Sequence, residues 1–298
     1  MHIECLEFFQ KIAETKSISK VADSSHISQS ALSQQMQKLE ETLGYKLFTR
    51  SNRGVNLTDA GEIVLKYTDN MIRTYNKMLE GLQQKEKNKF KIKIEADFTF
   101  ATYCLPCALL RMKDKYPGHD YNLVSNSSAK IEQDVLNDIC EIGFVSHKSS
   151  EISLNYEKMI NENVVLISLP NYDIPEKFNL KEILDHKLIM IEGECIINEN
   201  LSEALNKIGH DINDLNVIAN LETTEAIKTL VLKGFGIAFV PYSSIKKELY
   251  EKELKISRVK DFDLDYIIYI LTKNNNKLSQ SEREFIEGIK SLGYKMCC

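Results

Sequence analysis

Apolar residues near the start of the chain recur at helical spacing. Ile3, Leu6, Phe9 and Ile12 repeat every three residues, and this spacing predicts an amphipathic helix. The pattern stops near residues 15–16. The first element is therefore predicted to be a helix that buries one face.

Two more helices are predicted by their capping residues. Ser17 can cap a short second helix, which a turn at residues 24–27 ends. Ser28 can cap a third helix, and Gly44 is placed to end it. The apolar residues of the third helix recur at steps of four, three and four, and they form one buried stripe: Leu32, Met36, Leu39 and Leu43.

The other face of the third helix carries amides and hydroxyls. Gln29, Ser33 and Gln37 lie there, flanked by Ser30, Gln34 and Lys38. Gln can pair with adenine in the major groove, and Ser can reach a base edge or a phosphate. Two short helices, a turn and this third helix favour a helix-turn-helix that binds DNA. An ordinary polar surface helix is the alternative interpretation.

A short hairpin is predicted directly after the third helix. Residues 47–50 and 54–57 are strand-like, and residues 51–53 bridge them. Arg50 and Arg53 lie near the tip, where cations can contact the DNA backbone or minor groove. The hairpin therefore favours a winged helix-turn-helix over the alternative.

A long helix is predicted to start at Thr58 and Asp59, an N-cap hydroxyl followed by an acidic residue. Its apolar residues are spaced three, four, four, three and four, and they form one seam: Val64, Tyr67, Met71, Tyr75, Met78 and Leu82. Such a seam needs a partner, and self-association would place two winged units on one two-fold axis. We expect a homodimer or homotetramer. Packing on the second domain of the same chain remains the alternative.

The pattern changes after a polar, lysine-rich linker at residues 83–89. Strands then alternate with helices in a first set over residues 92–145, which includes one helix predicted over 100–116. A second set starts at the strand 164–167, and a strand at 266–271 and a helix at 279–292 follow. Two alternating sets indicate two α/β halves with a ligand cleft between them.

Charge is distributed unevenly along the chain of 298 residues, whose net charge is -5. Residues 1–91 contain 14 basic and 11 acidic residues, and residues 92–298 contain 24 basic and 32 acidic residues. The acidic excess therefore lies outside the predicted DNA-binding part. No apolar stretch is long enough for a membrane span, and the start lacks signal-peptide features, so we expect a cytoplasmic protein without a membrane partner.

Seven cysteines form no framework of regular spacing. Cys104 and Cys107 form a CxxC motif, for which redox sensing is one interpretation. Two core cysteines on an amphipathic helix is the interpretation we favour. No zinc spacing, nucleophile elbow, phosphate loop or motif of paired carboxylates is found, so we expect no metal, no cofactor and no enzymatic activity.

The N-terminal segment resembles the LysR-type transcriptional regulators. The residues that carry the resemblance lie in seven ordered segments: 6–9, 17–22, 27–35, 38–40, 43–44, 47–50 and 57–61. Looser matches at Tyr103-Leu105-Pro106, Tyr116-Pro117 and residues 233–241 are similar to the family's effector-binding domain, which has a periplasmic-binding-protein-like fold.

The resemblance implies an α+β chain of two domains. Residues 1–60 would form the winged helix-turn-helix, and 61–90 the linker or dimerisation helix with its hinge. Residues 91–298 would form the α/β effector domain, with subdomain I at about 91–161 and 267–298 and subdomain II at about 162–266. The implied function is sequence-specific transcriptional regulation controlled by an effector. The alternative is a small-molecule-binding protein or enzyme of this fold with an accessory helical domain.

The resemblance also implies DNA-contacting residues. They are Ser17, Ser19, Ser28, Gln29, Ser30, Ser33, Gln34, Lys38, Arg50 and Arg53. The family often has Pro where this chain has Ser30 and Arg where it has Gln34, so its base preferences would differ. The implied partners are double-stranded operator DNA with dyad symmetry and, as a further candidate, RNA polymerase.

An effector is expected between the halves of the second domain. The matching positions are Asp97, Thr99, Phe100, Ser127, Ser128, Glu192, Gly193 and Thr223. Hydroxyls and N–H groups at helix starts favour an anion, whereas the carboxylates favour an amino group. The effector is therefore expected to be anionic or zwitterionic. The alternative is that the serines and threonines are only helix caps.

Overall fold

A computed structural model describes residues 3–51, 54–87, 90–192, 196–260, 264–274 and 278–293. The chain divides into two compact units. The first contains residues 1–88 with 137–139, and the second contains residues 89–136 with 140–298. Among the described residues, no helix combines the length and apolar character needed to cross a bilayer.

The first unit is built from three helices, a hairpin and a long helix. In chain order these are α1 (Ile3–Thr15), α2 (Ile18–Ser24), α3 (Gln29–Leu43), β1 (Phe48–Ser51), β2 (Gly54–Leu57) and α4 (Asp59–Lys87). The predicted apolar stripes form its core, where Phe9, Ile12 and Leu32 are completely buried. Gly44 caps α3 with a φ of 77°, a left-handed conformation that suits glycine.

Helix α4 is longer than expected. Thr58 caps its start, since the Thr58 hydroxyl accepts a hydrogen bond of 3.0 Å from the N–H of Gly61. The helix continues to Lys87, so most of the segment predicted as a polar linker is helical. Residues 83–87 are Gln, Lys and Glu, which are good helix formers, and no Gly or Pro interrupts them.

The second unit combines sheets with surrounding helices. Its strands are β3 (Phe90–Asp97), β4 (His119–Asn126), β5 (Ile142–Val145), β6 (Leu154–Ser168), β7 (Lys177–Phe178), β8 (Leu188–Ile191), β9 (Val217–Leu221), β10 (Ala238–Pro241), β11 (Lys255–Val259) and β12 (Leu264–Lys273). Its helices are α5 (Phe98–Tyr103), α6 (Leu105–Lys115), α7 (Ser128–Leu136), α8 (Ile196–Lys207), α9 (Thr224–Leu232), α10 (Lys246–Tyr250) and α11 (Gln280–Leu292).

The strands define two halves of this unit. In the first half, β3 pairs in parallel with β4 and β5. In the second half, β8 pairs in parallel with β9, and a bridge joins Leu188 to Ile237. The long antiparallel strands β6 and β12 pair over their whole common length and connect the sheet, with β10 and β11 on β6. Separate apolar clusters fill the two halves.

In the second unit, one predicted helix and one predicted strand differ clearly from the sequence prediction. The helix predicted over residues 100–116 is two helices, because Pro106 has no N–H to donate to the carbonyl of Thr102 and so starts α6. Strand β6 begins at Leu154, well before the predicted 164. Its first part alternates polar with partly buried residues and lacks the apolar run that identifies a buried strand.

Candidate DNA-binding and effector-binding sites

Helix α3 presents a polar surface opposite its buried stripe. Gln29, Ser30, Gln34 and Lys38 are exposed and Ser33 is half-buried. The residues that anchor the helix on its other side are fully or almost fully buried: Leu32, Met36 and Leu39. The structure thus brings five of the predicted DNA-contacting residues together on one accessible helix.

Four of the predicted serines form two hydroxyl pairs at helix starts. Ser17 caps α2 by accepting from the N–H of Lys20 at 3.3 Å, and its hydroxyl lies 3.1 Å from that of Ser19. Ser28 caps α3 in the same way, and its hydroxyl lies 3.0 Å from that of Ser30. Ser17 and Ser28 therefore stabilise the helices as caps, and their partners Ser19 and Ser30 are exposed.

The hairpin is anchored to α3 by Glu40. One oxygen of Glu40 accepts from the N–H of Leu47 at 2.9 Å and of Phe48 at 3.3 Å, and the other lies 2.6 Å from Lys46 Nζ. Burial opposes ionisation of Glu40, but the hydrogen bonds from Lys46 and the two amides outweigh burial and lower its pKa. Arg50 pairs with Val55 in the hairpin register. Arg53 lies outside the described residues.

Helix α4 carries an exposed apolar face. Five of the six residues of the predicted seam are exposed to solvent: Tyr67, Met71, Tyr75, Met78 and Leu82. Met71 is 49% exposed and Leu82 is 60% exposed. The sixth residue differs, because Val64 is partly buried and packs on the core of the first unit. Val64 thus already has an intramolecular partner.

A cavity of about 770 Å³ lies in the second unit. Its lining includes Asp97, Phe98, Ser127, Ser128, Ala129, Glu132, Ser146, His147, Ser149, Ile191, Glu192, Glu222 and Thr223. These residues come from both halves. Ser127 and Ser128 lie at the start of α7, and Thr223 caps α9 by accepting from the N–H of Ala226 at 3.2 Å. Two helix N-termini therefore border the same space.

The cavity wall is acidic. Four carboxylates line it, and His147 is the one basic side chain in the described lining. Asp97 is bound internally, because it accepts from the N–H of Thr99 at 3.0 Å, from Ser146 at 3.1 Å and from the hydroxyl of Tyr266. Burial raises the pKa of Asp97, although these hydrogen bonds oppose the shift.

Two of the predicted effector contacts are not part of the cavity lining. Thr99 is buried and lies hydroxyl to hydroxyl with Thr224 at 3.1 Å. Phe100 is a core residue that packs on Phe144, with ring centroids 5.4 Å apart. Phe98, the first residue of α5, takes the position on the wall instead. Gly193 lies outside the described residues.

Several residues that line the cavity were not predicted from the sequence. They are Phe98, Ala129, Glu132, Ser146, His147, Ser149 and Ile191. Ser146 and His147 follow β5, and a polar pair directly after a buried strand was a usable signal. Glu132 lies one turn into α7, and it accepts from Tyr156 at 2.6 Å and from the N–H of Ser149 at 3.2 Å.

A second set of contacts joins α5 to α9, and we call Tyr103, Glu225, Lys228 and Glu248 the clasp. The Tyr103 hydroxyl donates to Glu225 at 2.6 Å. Lys228 is 4% exposed and lies 2.9 Å from Glu225 and 2.8 Å from Glu248. Burial raises the pKa of Tyr103, and the bond to Glu225 adds to the shift. For Glu225, burial is outweighed by the bonds from Tyr103 and Lys228, which lower its pKa.

The CxxC motif differs from the favoured interpretation. Cys104 is buried, but Cys107 is only partly buried and the two are joined in a disulfide. The favoured interpretation, two core cysteines on an amphipathic helix, therefore holds for Cys104 and not for Cys107. The spacing of three residues in the first turn of α6 brings the two side chains together. In the described part of the chain, no group of three or more metal-binding side chains is found.

Two family models match the chain. Residues 3–62 match the bacterial regulatory helix-turn-helix protein, lysR family. Residues 86–292 match the LysR substrate binding domain. The first match ends near the start of α4 and the second begins near its end, so residues 63–85 of α4 lie between them.

Individual proteins are similar along most of their length. The chain is 27% identical over 278 residues to a probable RuBisCO transcriptional regulator of Trieres chinensis, covering 91% of this chain and 90% of that protein. The crystal structure of CbnR, a LysR family transcriptional regulator, has a TM-score of 0.78 at 16% identity and covers 98% of this chain and 99% of that one. Full-length CbnR complexed with its target DNA has a TM-score of 0.76 at 16% identity, with the same coverage.

Proposed function

The chain belongs to the LysR family of DNA-binding transcriptional regulators, and from this premise we propose how its own residues contact DNA and an effector. The observation that carries the DNA part is the exposed amide and hydroxyl face of α3 beside an anchored wing. Gln29, Ser30, Ser33 and Gln34 read base edges in the major groove. Lys38, Arg50 and Arg53 contact the phosphate backbone.

The hydroxyls at the starts of α2 and α3 position the protein on the backbone. Ser19 and Ser30 are exposed and accompany the caps Ser17 and Ser28. Hydroxyls and N–H groups at a helix start are suited to phosphate oxygens. These contacts fix the register from which α3 reads sequence.

Two copies associate through the exposed apolar face of α4. Solvent exposure of Tyr67, Met71, Met78 and Leu82 on one face is unfavourable in a monomer. A second α4 is self-complementary to this face and gives a two-fold axis. The two winged units then read a site with dyad symmetry. A tetramer would need a second interface.

The effector occupies the cavity between the halves of the second unit. The carboxylates of Glu192 and Glu222 on the wall favour an amino group, and the helix starts at Ser127–Ser128 and Thr223 favour a carboxylate. A zwitterion of amino-acid size satisfies both groups, and a cavity of about 770 Å³ leaves room for it. Closure around the effector shifts the arrangement of the DNA-binding units.

We further propose that the regulator acts in the cytoplasm, where its DNA is, with RNA polymerase as a partner, and that it catalyses no reaction.

Footprinting on the DNA upstream of its own gene tests the proposed DNA binding. The expected result is a protected region with two half-sites about one or two helical turns apart. Uniform, sequence-independent protection would count against it. A panel of amino acids and of non-amino anions, read by thermal shift, tests the effector part.

A further inference from the structure

The disulfide lies at the junction of two helices. Cys104 ends α5, since its N–H donates to the carbonyl of Phe100 at 3.2 Å, and it also precedes the first turn of α6. Cys107 is in that first turn. Cys104 is completely buried whereas Cys107 is partly exposed. A reagent therefore reaches the bond from the side of Cys107.

Helix α5 ends at the disulfide. It is short, and the residues at its two ends make different contacts. Helix α5 has six residues, and Phe98 at its start lines the cavity. Tyr103 at its end belongs to the clasp. Asp97 caps the start of α5, and the disulfide holds the residue directly after its end. The position of α5 is thus fixed at both ends.

The clasp depends on the position of Tyr103. Lys228 lies 4.9 Å from the centre of the Tyr103 ring and donates to the carbonyl of Ser244 at 2.9 Å. A buried lysine is stable only while it is paired and hydrogen-bonded. Glu225 binds both Tyr103 and Lys228, so a shift of Tyr103 weakens one of the contacts that join α5 to α9.

We propose that Cys104 and Cys107 form a thiol–disulfide exchange site that accepts a dithiol reductant and controls how firmly α5 is held against α9. The inference concerns the second unit alone and does not rest on the proposed DNA contacts or effector. In the oxidised form α5 and the clasp are held in place. In the reduced form the junction after Tyr103 is free to move.

A reductant that carries two thiols supplies the two electrons and two protons of the exchange. A thiolate of the reductant attacks Sγ of Cys107, which forms a mixed disulfide and breaks the bond to Cys104. The Cys104 thiolate leaves and takes up one proton. The second thiol of the reductant then attacks the reductant's first sulfur, which is bonded to Cys107 in the mixed disulfide. This step forms a disulfide within the reductant and releases Cys107 as a thiol. Two electrons and two protons pass to the protein, and the oxidised form of the reductant reverses the reaction.

Hydrogen exchange measured by mass spectrometry tests the proposal on the full-length protein purified without reductant. Dithiothreitol is the probe. On reduction, we expect the amides of residues 98–104 and 224–229 to exchange roughly ten-fold faster, because a lost cross-link lowers the free energy of local opening. Cys107→Ser should show the fast exchange without reductant. Cys107→Ala serves as a second variant.

The matched control is Cys140→Ser, which should keep the disulfide and its response to dithiothreitol. Cys140 is buried, and burial raises its pKa to about 12, which disfavours the reactive thiolate. Three results would each overturn the proposal. They are the absence of a Cys104–Cys107 peptide in mass mapping, resistance of the bond to dithiothreitol in the folded protein, and unchanged exchange in α5 and α9 after reduction.

Discussion

Glu40 accepts a hydrogen bond of 2.9 Å from the backbone N–H of Leu47, and this contact ties α3 to the start of the hairpin. The same carboxylate binds Phe48 and Lys46. Glu40, which is not one of the proposed DNA-contacting residues, is therefore one of the contacts that position the hairpin relative to α3. The orientation of the wing can be changed without touching a base-reading residue.

Replacement of Glu40 should loosen the hairpin. We expect Glu40→Ala to lower the free energy of opening at the amides of Leu47 and Phe48 by about 2 kcal/mol, since two donors lose a charged acceptor. Native-state hydrogen exchange measures this quantity. Glu41→Ala is the control, because Glu41 is exposed on the same helix and accepts a hydrogen bond from Gln37. Equal losses in both variants would contradict the role of Glu40.

The same contact should depend on pH. The pKa of Glu40 lies below its ordinary value of 4.5 in the folded protein. Its stabilisation is therefore fully present above pH 4.5 and is lost as the pH falls through the folded pKa. Glu40→Gln should remove this part of the acid dependence at Leu47. An unchanged acid profile in Glu40→Gln would show that another group is responsible.

The contribution of Asp97 to stability should depend on pH in the opposite direction. Burial raises its pKa above the ordinary value of 3.8, so its contribution to stability is greatest below that pH and is lost as the pH rises through the folded pKa. The melting temperature of Asp97→Asn, measured relative to the wild type, should therefore rise between about pH 4 and about pH 7. Asp265→Asn, which changes an exposed carboxylate, should show no such trend. A difference that falls with pH would contradict the assignment.

The exposed face of α4 should hold the dimer together. Met71→Glu and Met78→Glu place a charge in an apolar interface, and we expect dissociation to monomers in sedimentation velocity. Asn76→Glu adds the same charge about half a turn away from both methionines and should leave the dimer intact. Dimers of unchanged stability in the two methionine variants would place the interface elsewhere.

The cavity should distinguish the two ends of a zwitterion. For an amino acid that raises the melting temperature, Glu222→Gln should weaken binding through the amino group and Ser128→Ala through the carboxylate. Each loss should be about ten-fold, or ~1.4 kcal/mol. Glu203→Gln, on the exposed face of α8, is the control. Stabilisation by non-amino anions only would contradict the zwitterion.

Most of the fold could be predicted because its signals are local. Ser17, Ser28 and Gly44 cap helices through bonds to neighbouring residues, and the stripe of α3 is visible as spacing. The cavity depends on contacts between residues that are far apart in the sequence. Ser146 and Glu132 meet there only because β5 and α7 are adjacent in the folded unit.

The missed and mistaken contacts have specific physical causes. Thr99 and Phe100 follow the first strand as expected, but the start of α5 at Phe98 rotates both into the interior. No spacing in the sequence shows that rotation. The disulfide was also not predictable, because i, i+3 spacing places Cys104 and Cys107 close together whether they pair or only pack.

The central claim is that α3 reads DNA sequence, and a ratio of two dissociation constants tests it most directly. Binding of the dimer is measured by fluorescence anisotropy at one fixed salt concentration, on DNA from upstream of its own gene and on a shuffled sequence of the same composition. We expect the ratio to be roughly 10³ or more for the wild type. Gln29→Ala and Ser33→Ala should lower the ratio, whereas Arg53→Ala should weaken binding to both DNAs alike. A ratio near one for a well-folded dimer would contradict the claim.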